Sequence, residues 1–90
     1  MESHQPSFER GIYGISTAAE LVGTGVQNLR LYEKRGLLSP QRTKGGTRLY
    51  SQSDVERLRR IAMLLDEGLN IAGIAMVLDL EQQIRQMRAP

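Results

Sequence analysis

The chain has no cysteine, which excludes a disulfide framework, a thiol redox switch and a thiolate metal site. Its only histidine, His4, lies in the polar N-terminal stretch and has no partner with which to build a metal site or a base–nucleophile pair; it reads as a solvated tail residue. No paired acid/base constellation occurs elsewhere, so neither an enzyme nor a bound cofactor is expected. No apolar run is long enough to span a bilayer, and Met1–Gly11 is polar rather than a signal segment. These absences point to a soluble, cytoplasmic protein that binds rather than catalyses.

What is present is positive charge in one place. The whole chain carries a formal +2. Between Gln27 and Arg60, however, nine Lys or Arg face only three acids, a local surplus of +6 that leaves −4 for the flanks. Such polarisation is the footprint of a phosphate-binding surface. Ninety residues make one small domain with a modest core, which association through a tail would reinforce.

Three regions are expected. Residues 1–11 form a loose tail, 12–76 the domain that bears the basic segment, and 77–90 the end of a C-terminal helix and a candidate dimerisation segment. Ile12-Tyr13-Gly14-Ile15 is either a small strand or an apolar lead-in to a helix. Thr17-Ala18-Ala19-Glu20 fits a capping box, Ala18, Leu21 and Val22 give an apolar face, and Gly23 supplies a left-handed stop. After the turn Gly23-Thr24-Gly25, residues 26–35 form a second helix with Val26, Leu29 and Leu37 toward the core. Two short helices around a glycine turn make a helix-turn-helix. Gln27, Asn28, Arg30, Leu31 and Lys34 lie on its exposed side. Asn and Gln can bind adenine edges bidentately and Arg can bind guanine or phosphate; the alternative is a solvated face on which Lys34 and Arg35 only complement the helix dipole.

Gly36 and Pro40 end that helix, and Gly45-Gly46 is a hairpin-turn signal between strands at about Gln41–Lys44 and Thr47–Tyr50. A two-stranded ribbon is marginal alone and must pack on the helices. Arg42, Lys44 and Arg48 would crowd this wing without counter-charges unless a phosphate backbone supplied them. Ser51-Gln52-Ser53-Asp54 opens a further helix to about Glu67, with Val55, Leu58, Ile61, Ala62 and Leu65 inward. Gly68 ends it and Asn70 caps the last helix, about Asn70 to Met87. That helix carries one apolar stripe of Ile71, Ile74, Ala75 and Leu78, and a second of Val77, Leu80, Ile84 and Met87 at coiled-coil spacing. The second stripe implies either a partner helix, most simply another copy, or an intrachain contact. The fold class is therefore mainly α: a winged helix-turn-helix with a small β-hairpin wing and C-terminal helices.

Over about Tyr13 to Gln82 the chain resembles the MerR family of bacterial transcription regulators. The resemblance rests on Ile15-Ser16-Thr17-Ala18-Ala19-Glu20-Leu21, on Leu29-Arg30-Leu31-Tyr32-Glu33 with Gly36-Leu37-Leu38, and on Gly46-Thr47-Arg48-Leu49-Tyr50-Ser51, with Asp54 and Leu58 in register. Asp66-Glu67-Gly68-Leu69-Asn70-Ile71-Ala72-Gly73-Ile74, with Leu80-Glu81 beyond, is similar to the heat-shock-repressor branch. The resemblance implies a homodimer joined through C-terminal helices, an inverted-repeat operator in double-stranded DNA, and association with the bacterial nucleoid. It sets Gln27 and Asn28 near bases, and Arg30, Tyr32, Arg42, Arg48 and Tyr50 at backbone-contacting or wing-anchoring positions; both tyrosines equally suit packing of the wing. Two departures stand out: Leu31-Tyr32 replaces a common pair of tyrosines, and Gly25 stands where relatives often have a capping side chain. The family's sensors have a longer dimerisation helix and an effector domain. A chain ending at Pro90 without cysteine is expected to receive its signal through another protein, which in the heat-shock branch is an Hsp70-class chaperone acting as co-repressor.

The readings to separate are thus a dimeric repressor, a small excisionase-like architectural DNA-binding protein, and a protein-interaction module whose basic face only solvates it.

Overall fold

The structure, a computed structural model, describes residues 7–89; the readings of His4 and Pro6 lie outside the described residues. The elements are β1 (Gly11–Tyr13), α1 (Ile15–Val22), α2 (Val26–Lys34), β2 (Gln41–Arg42), β3 (Arg48–Ser51), α3 (Gln52–Asp66) and α4 (Ile71–Arg88). They group into two compact units that meet in sequence after Arg59.

The first unit is built on a three-stranded antiparallel sheet in the order β1-β3-β2. Ile12 and Tyr13 are strand after all: Gly11 pairs with Ser51 and Tyr13 with Tyr50. The hairpin is therefore no isolated ribbon, since β3 is hydrogen-bonded on both edges. The close approach needs glycine at Gly11, where an added Cβ would lie 2.7 Å from the Leu49 carbonyl oxygen. The last residues of the expected tail are also tied to this unit. Phe8 accepts a hydrogen bond from the Ser53 amide and Gln41 Oε1 accepts one from the Gly11 amide, at 2.9 Å each.

The strand β1 sets where α1 begins. Its direction carries the chain straight into Gly14, which is extended (φ −67°, ψ 168°) and whose carbonyl accepts from the Ala18 amide. Thr17 consequently falls inside the first turn, and the expected Thr17–Glu20 capping box is not formed. The buried face is Ala18 and Ala19, while Leu21 is exposed. Gly23 (φ 82°) closes α1 through a bond from its amide to the Ala19 carbonyl, and Gly36 (φ 79°) follows α2 in the same left-handed form. Leu29, Tyr32, Leu37, Leu38, Tyr50, Val55 and Leu58 complete the buried core of this unit.

The wing turn differs by one residue from expectation. Gly46 donates to the Thr43 carbonyl and Thr43 to the Thr47 carbonyl, at 2.9 Å each, and only Gly46 has a positive φ (88°). Lys44 and Gly45 are thus the central residues of the turn and Gly46 its left-handed third, the usual form of a three-residue hairpin loop. Lys44 stands at the tip rather than in a strand.

The capping box that opens α3 is formed in both directions, Ser51 amide to Asp54 Oδ2 and Asp54 amide to Ser51 Oγ, at 2.9 Å each. The second unit comprises the rest of α3 and α4. Gly68 (φ 96°) ends α3, and Asn70 Oδ1 accepts from the Gly73 amide at 2.8 Å to cap α4. Its buried residues are Ile61, Leu64, Ile74 and Leu78. Leu64 takes the place expected for Leu65, and Ala75 is exposed. Arg60 grips Glu81 with two nitrogens, Nη2 at 2.6 Å from Oε2 and Nε at 3.1 Å. On the second stripe of α4, Leu80, Ile84 and Met87 are 54, 48 and 83% exposed and Val77 is half-buried.

Candidate nucleic-acid interface

The exposed side of α2 follows from its helical period. Gln27, Leu31 and Lys34 recur at spacings of four and three and form one row, flanked by Arg30 on one side and by Asn28 and Arg35 on the other. All six are exposed. The opposite side carries Leu29 and Tyr32 into the core. The start of α2 is Gly25, extended and without a side-chain cap, in keeping with the departure noted in the sequence. Asn28 is not left to rotate freely, since its Nδ2 donates to Thr24 Oγ1 at 2.7 Å. One amide hydrogen and the carbonyl oxygen of Asn28 remain for a base edge.

The two tyrosines divide. Tyr32 is 6% exposed, and burial raises its phenol pKa. Tyr50 is wholly enclosed, its hydroxyl has no hydrogen-bond partner, and burial again raises its pKa. A side chain enclosed in this way anchors the wing and does not reach a phosphate, so Tyr50 leaves the set of contacting residues.

The wing cations are not without a counter-charge, contrary to expectation. Glu33 supplies it from α2: its Oε1 accepts from Arg48 Nε at 2.6 Å and its Oε2 from Arg42 Nη2 at 2.8 Å. Arg42 also donates from Nη1 to the Gly46 carbonyl at 2.9 Å, tying the turn that carries Lys44 to the same carboxylate. The Arg48 bond, reinforced by Arg42, outweighs burial and holds the Glu33 carboxyl below its usual range, and Glu33 in turn raises Arg48. Glu33 is the site residue that the sequence reading passed over; the only local signal was that it is the sole acid between Gln27 and Ser53, among six cations. Two further arginines are already engaged: Arg57 Nε donates to the Leu37 carbonyl and Arg59 Nη2 to the Leu21 carbonyl. Arg30, Lys34, Arg35 and Lys44 make no ion pair among the described residues. No group of acids and histidine suited to a metal ion occurs among them either.

This combination of helix row and braced wing coincides with a family match. Residues 13–81 fit the model of the MerR HTH family of regulatory proteins. The chain belongs to the MerR family. Its members are regulators, not enzymes. A relative from Streptomyces coelicolor, described as a heat shock protein, HspR, is 47% identical over 79 residues, covering 87% of this chain and 52% of its own. The chain thus spans about half the length of that relative. Among solved MerR-type structures, the transcription regulator PbrR691 of Ralstonia metallidurans, in complex with lead(II), superposes with a TM-score of 0.75 at 29% identity, covering 80% of this chain and 57% of its own. HiNmlR, a MerR family regulator lacking the sensor domain and bound to promoter DNA, superposes with a TM-score of 0.71 at 28% identity over 77% of this chain and 53% of its own.

Proposed function

We propose that this chain is a sequence-specific, DNA-binding transcription regulator, a repressor that recognises an inverted repeat as a homodimer. The observation that carries the reading is the single exposed row of α2, polar and cationic, standing beside a wing whose arginines are braced to the same helix. In this reading Gln27 and Asn28 meet base edges in the major groove. Arg30, Lys34, Arg42, Lys44 and Arg48 meet phosphates, which position the protein without reading sequence. Tyr32, with its small exposed fraction, orients the helix, and Tyr50 anchors the wing. The promoter-DNA complex of HiNmlR supports duplex DNA as the partner.

The dimer is supported by the apolar stripe Val77, Leu80, Ile84 and Met87, whose exposure on α4 favours the dimeric regulator over a monomeric architectural binder. The likeness to HspR, described as a heat shock protein, supports a role in the heat-shock response; an Hsp70-class chaperone as co-repressor is the partner that the resemblance of the sequence to the heat-shock-repressor branch implies.

Selection of bound duplexes from a random pool tests the reading. The expected product is an inverted repeat with half-site centres about one or two helical turns apart. A pool with no enriched sequence, or with a single unrepeated half-site, sinks it. Ala at Gln27 or Asn28 is then expected to relax preference at one position by about 1–3 kcal/mol. Ala at Arg42 or Arg48 weakens all sequences alike and flattens the salt dependence by about one unit of slope per phosphate lost.

A further inference from the structure

A carboxylate beside a phosphate-binding surface reduces attraction for DNA, and Glu33 on α2 reaches across to the wing arginines. Its 22% exposed side chain pairs with arginines that are 43 and 28% exposed. Ion pairs as accessible as these add little to stability. Stability alone therefore does not account for an acid at this position.

The geometry of the pairs suggests what does. Each carboxylate oxygen holds a guanidinium from a different strand, Arg42 from β2 and Arg48 from β3. Arg48 is held by Nε, so neither terminal nitrogen is taken up by Glu33. Arg42 is held at Nη2 by Glu33 and at Nη1 by the Gly46 carbonyl, so its orientation and that of the turn bearing Lys44 are set together. Glu33 itself lies on the side of α2 away from the Gln27–Leu31–Lys34 row, turned toward the wing.

We infer that Glu33 is a specificity-determining positioning residue: it clamps Arg42 and Arg48 in one register beside α2, trading non-specific attraction for a fixed spacing between helix contacts and wing contacts. Unclamped, two long cationic side chains would follow any phosphate within reach. Clamped, they meet phosphates only where the duplex backbone has the matching groove width and path, which couples wing binding to DNA shape. Their rotamers are ordered beforehand, so less freedom is lost on contact. This inference rests on the surface binding duplex DNA as proposed above.

The test compares the unaltered chain with Glu33→Gln and Glu33→Asp on two duplexes: one selected by the unaltered chain and a scrambled duplex of the same composition. Gln removes the charge at constant size, whereas Asp keeps the charge on an arm one methylene too short to hold both arginines. Glu33→Gln is expected to bind the scrambled duplex about three- to tenfold more tightly at low salt, with a salt slope steeper by about one unit. Its preference for the selected duplex is expected to fall by roughly tenfold, as for the loss of one good contact. Glu33→Asp is expected to leave scrambled binding within about twofold while losing the same preference, because the net charge that governs non-specific binding is unchanged.

A preference unchanged in both variants overturns the inference. So does a loss confined to Glu33→Gln, which would assign the effect to charge and not to placement. Equal weakening on both duplexes with reduced helical circular dichroism would make Glu33 a folding residue only. The unaltered chain is measured first, and its failure to prefer any duplex overturns the proposed function itself, and this inference with it.

Discussion

The first two helices and the last two begin in opposite ways. α1 and α2 start at Gly14 and Gly25, with no side chain accepting their free amides. α3 and α4 start at Ser51 and Asn70, each side chain bonded to an amide of its own first turn. The exposed faces differ as well. α2 presents amides and cations, whereas α4 presents leucine, isoleucine and methionine. The difference teaches where each helix gets its definition. α3 and α4 carry their start signals within four residues. α1 and α2, of eight and nine residues, are too short to persist alone and draw their limits from packing and from the sheet.

The sharpest way to break this contrast is Leu29→Ala. Leu29 is fully buried on a helix that lacks a cap, so the cavity removes the interaction on which α2 depends. A loss of about 3 kcal/mol is expected from such a truncation, read as a lower urea midpoint at every protein concentration. A loss below about 1 kcal/mol would mean that α2 holds itself without its packing. Leu80→Glu is the counterpart on α4. Leu80 is 54% exposed, so the monomer's stability should change little. If the stripe is the dimer seam, association weakens by at least about tenfold, and the concentration dependence of the melting temperature disappears. Sedimentation velocity gives the direct reading. An unchanged mass distribution would remove the seam from this stripe.

The caps give a smaller and more direct comparison. Ser51→Ala and Asn70→Ala should each cost about 1 kcal/mol. Gly14→Ser, at the start of α1, should change stability by only a few tenths, because glycine is already an adequate cap. Chemical denaturation separates the two classes. Equal losses at Ser51 and Gly14 would erase the distinction.

The same distinction explains which parts of the fold were legible in the sequence. The Ser51–Asp54 box, the Gly68 stop and the Asn70 cap are local devices, and each falls where its spacing puts it. The limits of α1 were not legible. Thr17 and Glu20 have cap spacing, but β1, paired with a strand about 40 residues away, delivers the chain to the helix at Gly14 first. Leu64 and Leu65 differ by one residue of phase, which a helical period alone does not resolve. In the candidate site, the α2 row is a matter of period and was readable. The burial of Tyr50 was not, because the same tyrosine suits a surface or a core. Nor was the Glu33 clamp, whose partners lie nine and fifteen residues on and meet it only once the hairpin has folded back.

The smallest expected effect concerns the two clamped carboxylates, one in each unit. Arg48 and Arg42 hold Glu33 below its ordinary value of 4.5, and Arg60, with a lesser contribution from Arg85, does the same for Glu81. A carboxyl lowered in the folded state stabilises it fully above the unfolded value, and that contribution is lost as pH falls through the lowered folded value. Both clamps should therefore be complete near neutrality and weaken only below pH 4.5. The change is small because both side chains remain partly accessible, at 22 and 32%. What differs is the consequence. Protonating Glu33 releases the arginine that holds the Gly46 carbonyl, so protection of the Thr43 and Thr47 amides from exchange should decline as the solution is acidified below pH 4.5. Protonating Glu81 should leave those two amides unchanged. Glu33→Gln should abolish the acid-dependent loss of protection, while Glu81→Gln should preserve it. If the wing amides keep their protection through the Glu33 titration, the turn holds its shape through its own hydrogen bonds and the carboxylate is only an orienting partner for the arginines.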